Sequence, residues 1–360
     1  NVNARLSANL SNAEATNKSF QPSATGFRMA NSEVYPGTPV TILYLAIRRP
    51  NKPPTVGTQV YNAIARTGTG AAATVTGVGF SADLLFTRNR DSGGVISSNY
   101  IFDRMRGGSK RLTSVDTTAE NSSITDQFLS FAMDGMNIGA DVNGLGGHIN
   151  QGQVIHHFFK RAPGVFDVVC YTTPAQTVPI VVPHGLAIVP EMMITKRRNN
   201  VGNFKVLING IGVALNSPSV GWGNSLFPLS ATSVTIGAND NDYNAAGSTY
   251  VMYLFATKAG ISKVGGYTGN GASQTVDCGF TTGARFILIK RTNAAGDWYV
   301  WDTVRGIIAG NDPHLSLNST AAEVTSDDSI DPANSGFIVN QLAATNINVN
   351  AASYIFLAFA

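Results

Sequence analysis

The sequence predicts an all-β chain of tandem antiparallel β-sandwich repeats, three full copies and one partial N-terminal copy. Three observations carry that expectation. The 360 residues are 43% hydrophobic but only 13% charged, against about 25% for an average globular protein. Gly, Ser, Thr, Asn and Ala replace the missing charge, so β-branched and turn-forming residues outweigh strong helix formers. Short apolar runs alternate with turn signals, and helical periodicity is not sustained. Finally, "YIFDRMRG" (100–107) returns as "YVWDTVRG" (299–306), a long-period internal repeat.

Residues 1–50 read as the C-terminal half of a copy. "LSNAE" carries an Ala-Glu column at Glu14, "TGF" (25–27) matches "DGM" (134–136) and "SGF" (335–337), and "VTILYLAI" (40–47) is a closing strand. Its front half is expected upstream in the same gene product or from another chain. A linker rich in Pro and Lys, "RRPNKPPTVGTQ" (48–59), follows. Repeat 1 spans 51–164, with strands at "LLFTR", "NYIFDRM", "FLSFAM" and "QVIHHFF". Repeat 2 spans 165–262. Its "MMITKRRN" (192–199) aligns with "LLFTRNRD" (84–91) and with "FILIKRTN" (286–293) of repeat 3, residues 263–360. "KRAPG" (160–164) and "KAGISKVGG" (258–266) separate the copies, since Pro and Gly cannot extend a central ladder. Each copy is long enough to bury a core of its own, which predicts separate domains in a row. The closing strands "YVMYLFA" (250–256) and "YIFLAFA" (354–360) are nearly continuously apolar, the pattern of strands buried on both faces.

A formal net charge of +3 with no block of like charge argues against a nucleic-acid partner. No run approaches the roughly 20 apolar residues of a membrane helix, so no membrane insertion is expected. There is no signal peptide pattern, and the absence of an initiator Met reads as a processed or partly observed chain. Cys170 and Cys278 lie outside any CxxC or CxxxH pattern and read as free thiols. No phosphate loop, GxSxG or zinc spacing occurs. The expectation is a protein without cofactor and without enzymatic activity.

Asp103 and Arg106, with Asp302 and Arg305, are the recurring charged pair. The Gly after each Arg lets the chain turn, so the Arg can curl back to the Asp as a structural clamp. Glu120 and Glu323 follow in each copy and are natural partners for the same Arg. Repeat 2 lacks both members of the pair at "NVGNFKVLING" (200–210). His156 and His157 align on Tyr253 and Leu254 in a closing strand, one facing a core and the other solvent or an adjoining sheet. Arg88, Lys196, Arg197, Lys290 and Arg291 form a basic column read as solvated strand-end charge that blunts edge pairing. Trp301 falls in the Phe102 column and reads as core. Trp222 and Trp298 sit at loop edges as candidate glycan contacts. "GANDNDYNAAG" (237–247) reads first as a self-capped loop, with Asp240 and Asp242 as weak calcium candidates.

The YxΦDxxRG strand, "LNSTAAE" (317–323), the following "GF" step and the closing YΦxxΦFA strand together resemble tandem domains of bacteriophage virion proteins, chiefly tail fibres and related tail or adhesion components. The resemblance implies a virion structural protein, a spacer or adhesion element in the extracellular particle. Its expected partners are further copies of the chain, with a trimer as the guess, other virion proteins and host-surface polysaccharide. The alternative is a lectin-like module that reads a host glycan.

Overall fold

The computed structural model describes residues 52–91, 99–124, 126–141, 149–174, 178–222, 227–238 and 242–360, with the strands at 20–22 and 27–29. The chain forms two units, Asn1–Asn51 and Lys52–Ala360. In the first, β1 (Phe20–Pro22) and β2 (Phe27–Met29) pair antiparallel with Phe20 opposite Met29. Phe27, which ends the "TGF" stretch, opens β2. Glu14 and the closing strand expected at 40–47 lie outside the described residues.

The second unit contains the rest of the strands. Repeat 1 supplies β3 (Tyr61–Thr69), β4 (Ala73–Val75), β5 (Leu84–Asn89), β6 (Tyr100–Asp103), β7 (Leu112–Thr113), β8 (Phe128–Ala132), β9 (Gly135–Ile138) and β10 (Gln151–Phe159). Repeat 2 supplies β11 (Phe166–Thr172), β12 (Ile180–Pro183), β13 (Met192–Arg197), β14 (Lys205–Ile208), β15 (Ile211–Ala214), β16 (Ser233–Ile236) and β17 (Thr249–Phe255). Repeat 3 supplies β18 (Ser262–Thr268), β19 (Gln274–Asp277), β20 (Phe286–Arg291), β21 (Trp298–Asp302), β22 (Leu315–Ser316), β23 (Ile330–Ala333), β24 (Gly336–Val339) and β25 (Ser353–Phe359). No α-helix occurs among the described residues.

Three five-stranded antiparallel sheets share one strand order: β3-β10-β5-β6-β7, β11-β17-β13-β14-β15 and β18-β25-β20-β21-β22. Each is faced by a smaller sheet, β4-β9-β8, β12-β16 or β19-β24-β23. The fold is therefore a repeated β-sandwich. In repeat 2 the third small strand shrinks to a single bridge, Leu229 to Val234.

Each closing strand (β10, β17, β25) lies second in its sheet and is buried on both faces. One face meets its own small sheet: Phe158 packs with Phe102, Phe128 and Met136 in repeat 1. The other face meets the other two repeats. Phe159, Phe255 and Phe359 form a triangle of rings with centroids 6.2, 5.4 and 6.4 Å apart. Tyr61, Phe166 and Phe286 join the same continuous core. The molecule thus has one central core shared by three repeats and one peripheral core in each.

This corrects the expectation of separate domains in a row. A five-stranded sheet with two apolar faces cannot cover both with one small sheet. The second face is covered by the neighbouring repeats, in a quasi-threefold arrangement. The arrangement closes where Gly57 abuts the Ala360 carbonyl so tightly that a Cβ would overlap it.

Strand register also corrects the histidine alignment. Phe159 pairs with Leu84, Phe255 with Met192 and Phe359 with Phe286. His157 therefore shares a column with Tyr253 and Leu357, and His156 with Met252 and Phe356. The alignment was off by one because "HHFFKR" ends its strand without the Ala that ends "YLFA". In a strand, one residue exchanges faces: His157 looks into the central core, while His156 bonds Thr87 on the peripheral side.

Candidate functional site

The charged residues singled out in the sequence meet at the turns after β6 and β21. One oxygen of Asp103 accepts the Arg106 backbone N–H at 2.8 Å and the other accepts Arg106 Nε at 2.5 Å. Asp302 does the same for Arg305, at 2.9 and 2.5 Å. Both ion pairs are fully buried. Each guanidinium also donates to a strand carbonyl, Ile101 O at 2.8 Å or Val300 O at 3.0 Å. The following glycines, Gly107 and Gly306, have φ of 85° and 128°, a region that β-carbon side chains avoid. The third ligand is the carboxylate downstream in the same repeat: Arg106 Nη1 reaches Glu120 and Arg305 Nη1 reaches Glu323, both at 3.1 Å.

The carboxylates are then shared across repeats. Arg198 of repeat 2 makes a two-pronged contact to Glu120, both bonds 2.9 Å. Arg90 of repeat 1 grips Glu323, with Nη2 at 2.6 Å. The Tyr253 hydroxyl of repeat 2 donates to Asp103 at 2.7 Å, and His157 Nε2 of repeat 1 lies 3.7 Å from Asp302. Arg90, Arg198, Tyr253 and His157 were not singled out as partners in the sequence. Arg90 and Arg198 do share an alignment column, but Thr292 interrupts it in repeat 3.

The electrostatics follow from this packing. Burial would raise the Glu120 carboxyl, but Arg198 and Arg106 hold it below the usual range. Asp302 is likewise held low against burial by Arg305 and His157. For Arg106 and Arg305, burial opposes the charge, yet the facing carboxylates raise both guanidinium values.

The interface of repeats 3 and 2 is built without these charges. Ile208 stands in the Asp column, Gly221 in the Glu column, Thr292 in the Arg column and Leu357 in the Tyr/His column. The long connections 104–111 and 303–314 are replaced there by Asn209-Gly210, with φ of 47° and 82°, a two-residue hairpin turn that needs no side-chain clamp. The shared loss has a physical reason. One member of a buried pair left alone is costly, whereas apolar replacement of the whole set is tolerated.

The basic column is not solvated. Arg88, Lys196 and Lys290 are buried, because the neighbouring repeat covers these strand ends. Arg88 donates to Ser316 O and Ala321 O of repeat 3. Lys290 Nζ donates to Pro218 O of repeat 2 at 3.0 Å and to Gly296 O at 2.6 Å. Lys196 bonds Gly202 O. Burial lowers both lysines to about 8. Arg197 and Arg291 are half-buried.

Trp298 is 1% exposed and its Nε1 donates to Ala214 O of repeat 2. It is a core residue at a repeat interface and cannot meet a glycan, because the loop edge it occupies is covered by repeat 2. Trp301 is core as expected. Trp222 is 39% exposed, rests on Gly212 and carries Lys205 Nζ over its ring at 4.8 Å. Lys205 also pairs with Asp242 at 2.7 Å, while Asp240 lies outside the described residues. Among the described residues no three acidic, His or Cys side chains are placed to hold a metal ion. Cys170 and Cys278 are free thiols, and burial pushes both to about 12.

His156 and His157 are expected to make the fold acid-labile. Burial lowers His156 to about 3 and His157 to about 4, with Arg66 adding for the first and Asp302 opposing for the second. Both stay neutral in the folded state while the unfolded state binds protons below about 6.5. Their contribution to stability is therefore fully present above that pH and falls as pH drops toward 4, by about 2 kcal/mol per histidine at pH 5. Denaturation midpoints at pH 7.5 and 5.0 check this. In a His156→Met, His157→Tyr variant, which takes the side chains of repeat 2, the drop shrinks. An equal drop in both proteins would refute the assignment.

Fold and site together define an all-β protein of internally repeated sandwich domains, joined by buried side chains. The model of the Domain of unknown function (DUF7483) matches residues 57–164 and 160–360. The chain belongs to that family. The two matched segments meet in the "KRAPG" linker between β10 and β11. Among curated proteins none matches the chain.

Proposed function

We propose that this protein is a structural component of a bacteriophage virion, a tail-fibre or tail-associated block that serves as spacer or adhesion element. The observation that carries this reading is where the recurring charge goes. Asp103, Arg106, Glu120, Asp302, Arg305 and Glu323 all hold turns and repeats together, which suits a structural part rather than a reaction centre. The virion-like motifs quoted above supply the rest. Three repeats packed round one core favour a block set on, or in place of, a threefold assembly of further copies and other virion proteins. Labelling of purified particles with an antibody against residues 52–360, together with native mass, tests it. Label on the particle supports it. A chain found free in the lysate and absent from purified particles would sink it.

A second reading, a lectin-like receptor module, rests on the partly exposed Trp222. It expects binding to host-surface polysaccharide on a glycan array, reduced by Trp222→Ala with the fold intact. Unchanged glycan binding in that variant argues against it.

A further inference from the structure

The three interfaces run head to tail, and their backbones treat them alike. Glu120 N–H donates to Arg198 O at 2.8 Å, Glu323 N–H to Arg90 O at 3.1 Å and Gly221 N–H to Thr292 O at 2.9 Å. A second bond repeats at two of them: Gly202 N–H to Thr117 O and Gly296 N–H to Pro218 O, both 2.9 Å. Side chains distinguish what the backbone does not. Repeat 1 gives Arg90 to repeat 3 and receives Arg198 from repeat 2. Repeat 2 gives an Arg but offers Gly221 where a Glu would receive one. Repeat 3 receives an Arg at Glu323 but gives Thr292. The buried partners follow the same rule, with Tyr253 on Asp103 and His157 beside Asp302.

We propose that these columns are an address that specifies which repeat surface accepts which. Each Arg requires a Glu across its interface and each Glu an Arg, and the apolar interface of Leu357 and Ile208 accepts neither charge. The partner surface is thus another repeat of this family, in the same chain or a second copy, chosen by whether its Arg and Glu columns match. A wrong neighbour leaves a largely desolvated Arg without its carboxylate, a costly error for such an interface. Because sheets of one strand order present nearly the same backbone, shape alone would leave the order of repeats open.

The test is a full-length chain with repeats 2 and 3 transposed. In that order Arg90 faces Gly221, and Glu120 faces Thr292. The transposed chain is expected to melt lower than the native order by roughly 10 °C or more, or not to fold. G221E with T292R gives every interface an Arg and a Glu, so the Arg and Glu columns no longer discriminate. Those two substitutions are expected to narrow the gap, raising the transposed chain far more than the native-order chain. The proposal is overturned if the transposed chain melts with the native order without them. It is equally overturned if the transposed chain stays unfolded, or the gap stays unchanged, with them and with I208D and L357Y, which complete the buried Asp and Tyr columns.

Discussion

Asp103→Ala is expected to lower the stability of the 52–360 unit by about 3–5 kcal/mol, the usual cost of stranding one member of a buried ion pair. Three donors lose their acceptor at once: the Arg106 backbone N–H, Arg106 Nε and the Tyr253 hydroxyl. The guanidinium keeps Glu120 but stays fully buried. Chemical denaturation at neutral pH reads the effect. A comparison chain takes the apolar strand pair and short turn of the interface between repeats 3 and 2: Asp103→Ile, Tyr253→Leu, and Asn-Gly in place of residues 104–111, with the Glu120–Arg198 pair kept. It is expected to be closer to the parent than Asp103→Ala is, although it changes more atoms. If Asp103→Ala stays within about 1 kcal/mol of the parent, the pair is not a clamp.

Phe255→Ala is expected to weaken all three repeats together. Its ring touches Phe159, Phe166 and Phe359, so truncation opens a cavity at the quasi-threefold centre. Loss of a buried Phe costs about 3–5 kcal/mol. With a shared core, calorimetry shows one transition moved as a whole, and hydrogen exchange accelerates in β10, β17 and β25 alike. Several transitions, with the repeat 2 transition alone displaced, would mean that the repeats fold independently.

Much of the fold was legible because its signals are local. "LLFTR", "FLSFAM" and the two "DxxRG" turns each carry their own strand or turn chemistry, and strands form there. The Asp, Arg and Glu columns could be read as partners within one repeat, since their spacing recurs. What was not legible was everything set by a neighbour. Arg88 and Lys290 look like solvated strand ends until another repeat covers them. Trp298 looks like a loop-edge aromatic until repeat 2 supplies the Ala214 carbonyl. Period-2 reasoning allows no error of one, so a missing terminal Ala was enough to misplace His156 and His157. The continuous apolarity of "YIFLAFA" already implied two buried faces. It could not say whose side chains would cover the second.

The contact between Gly57 and Ala360 has a mechanical consequence. The two ends of the 52–360 unit emerge side by side, so pulling on them does not stretch a row of beads. Tension enters at β25, which is hydrogen-bonded to β18 on one side and β20 on the other, and at β3, an edge strand paired to β10 alone. β25 must be drawn out between two ladders that yield together, whereas β3 can be peeled from its sheet one bond at a time. A block wired this way gives first at its N-terminal strand while its C-terminal strand still holds.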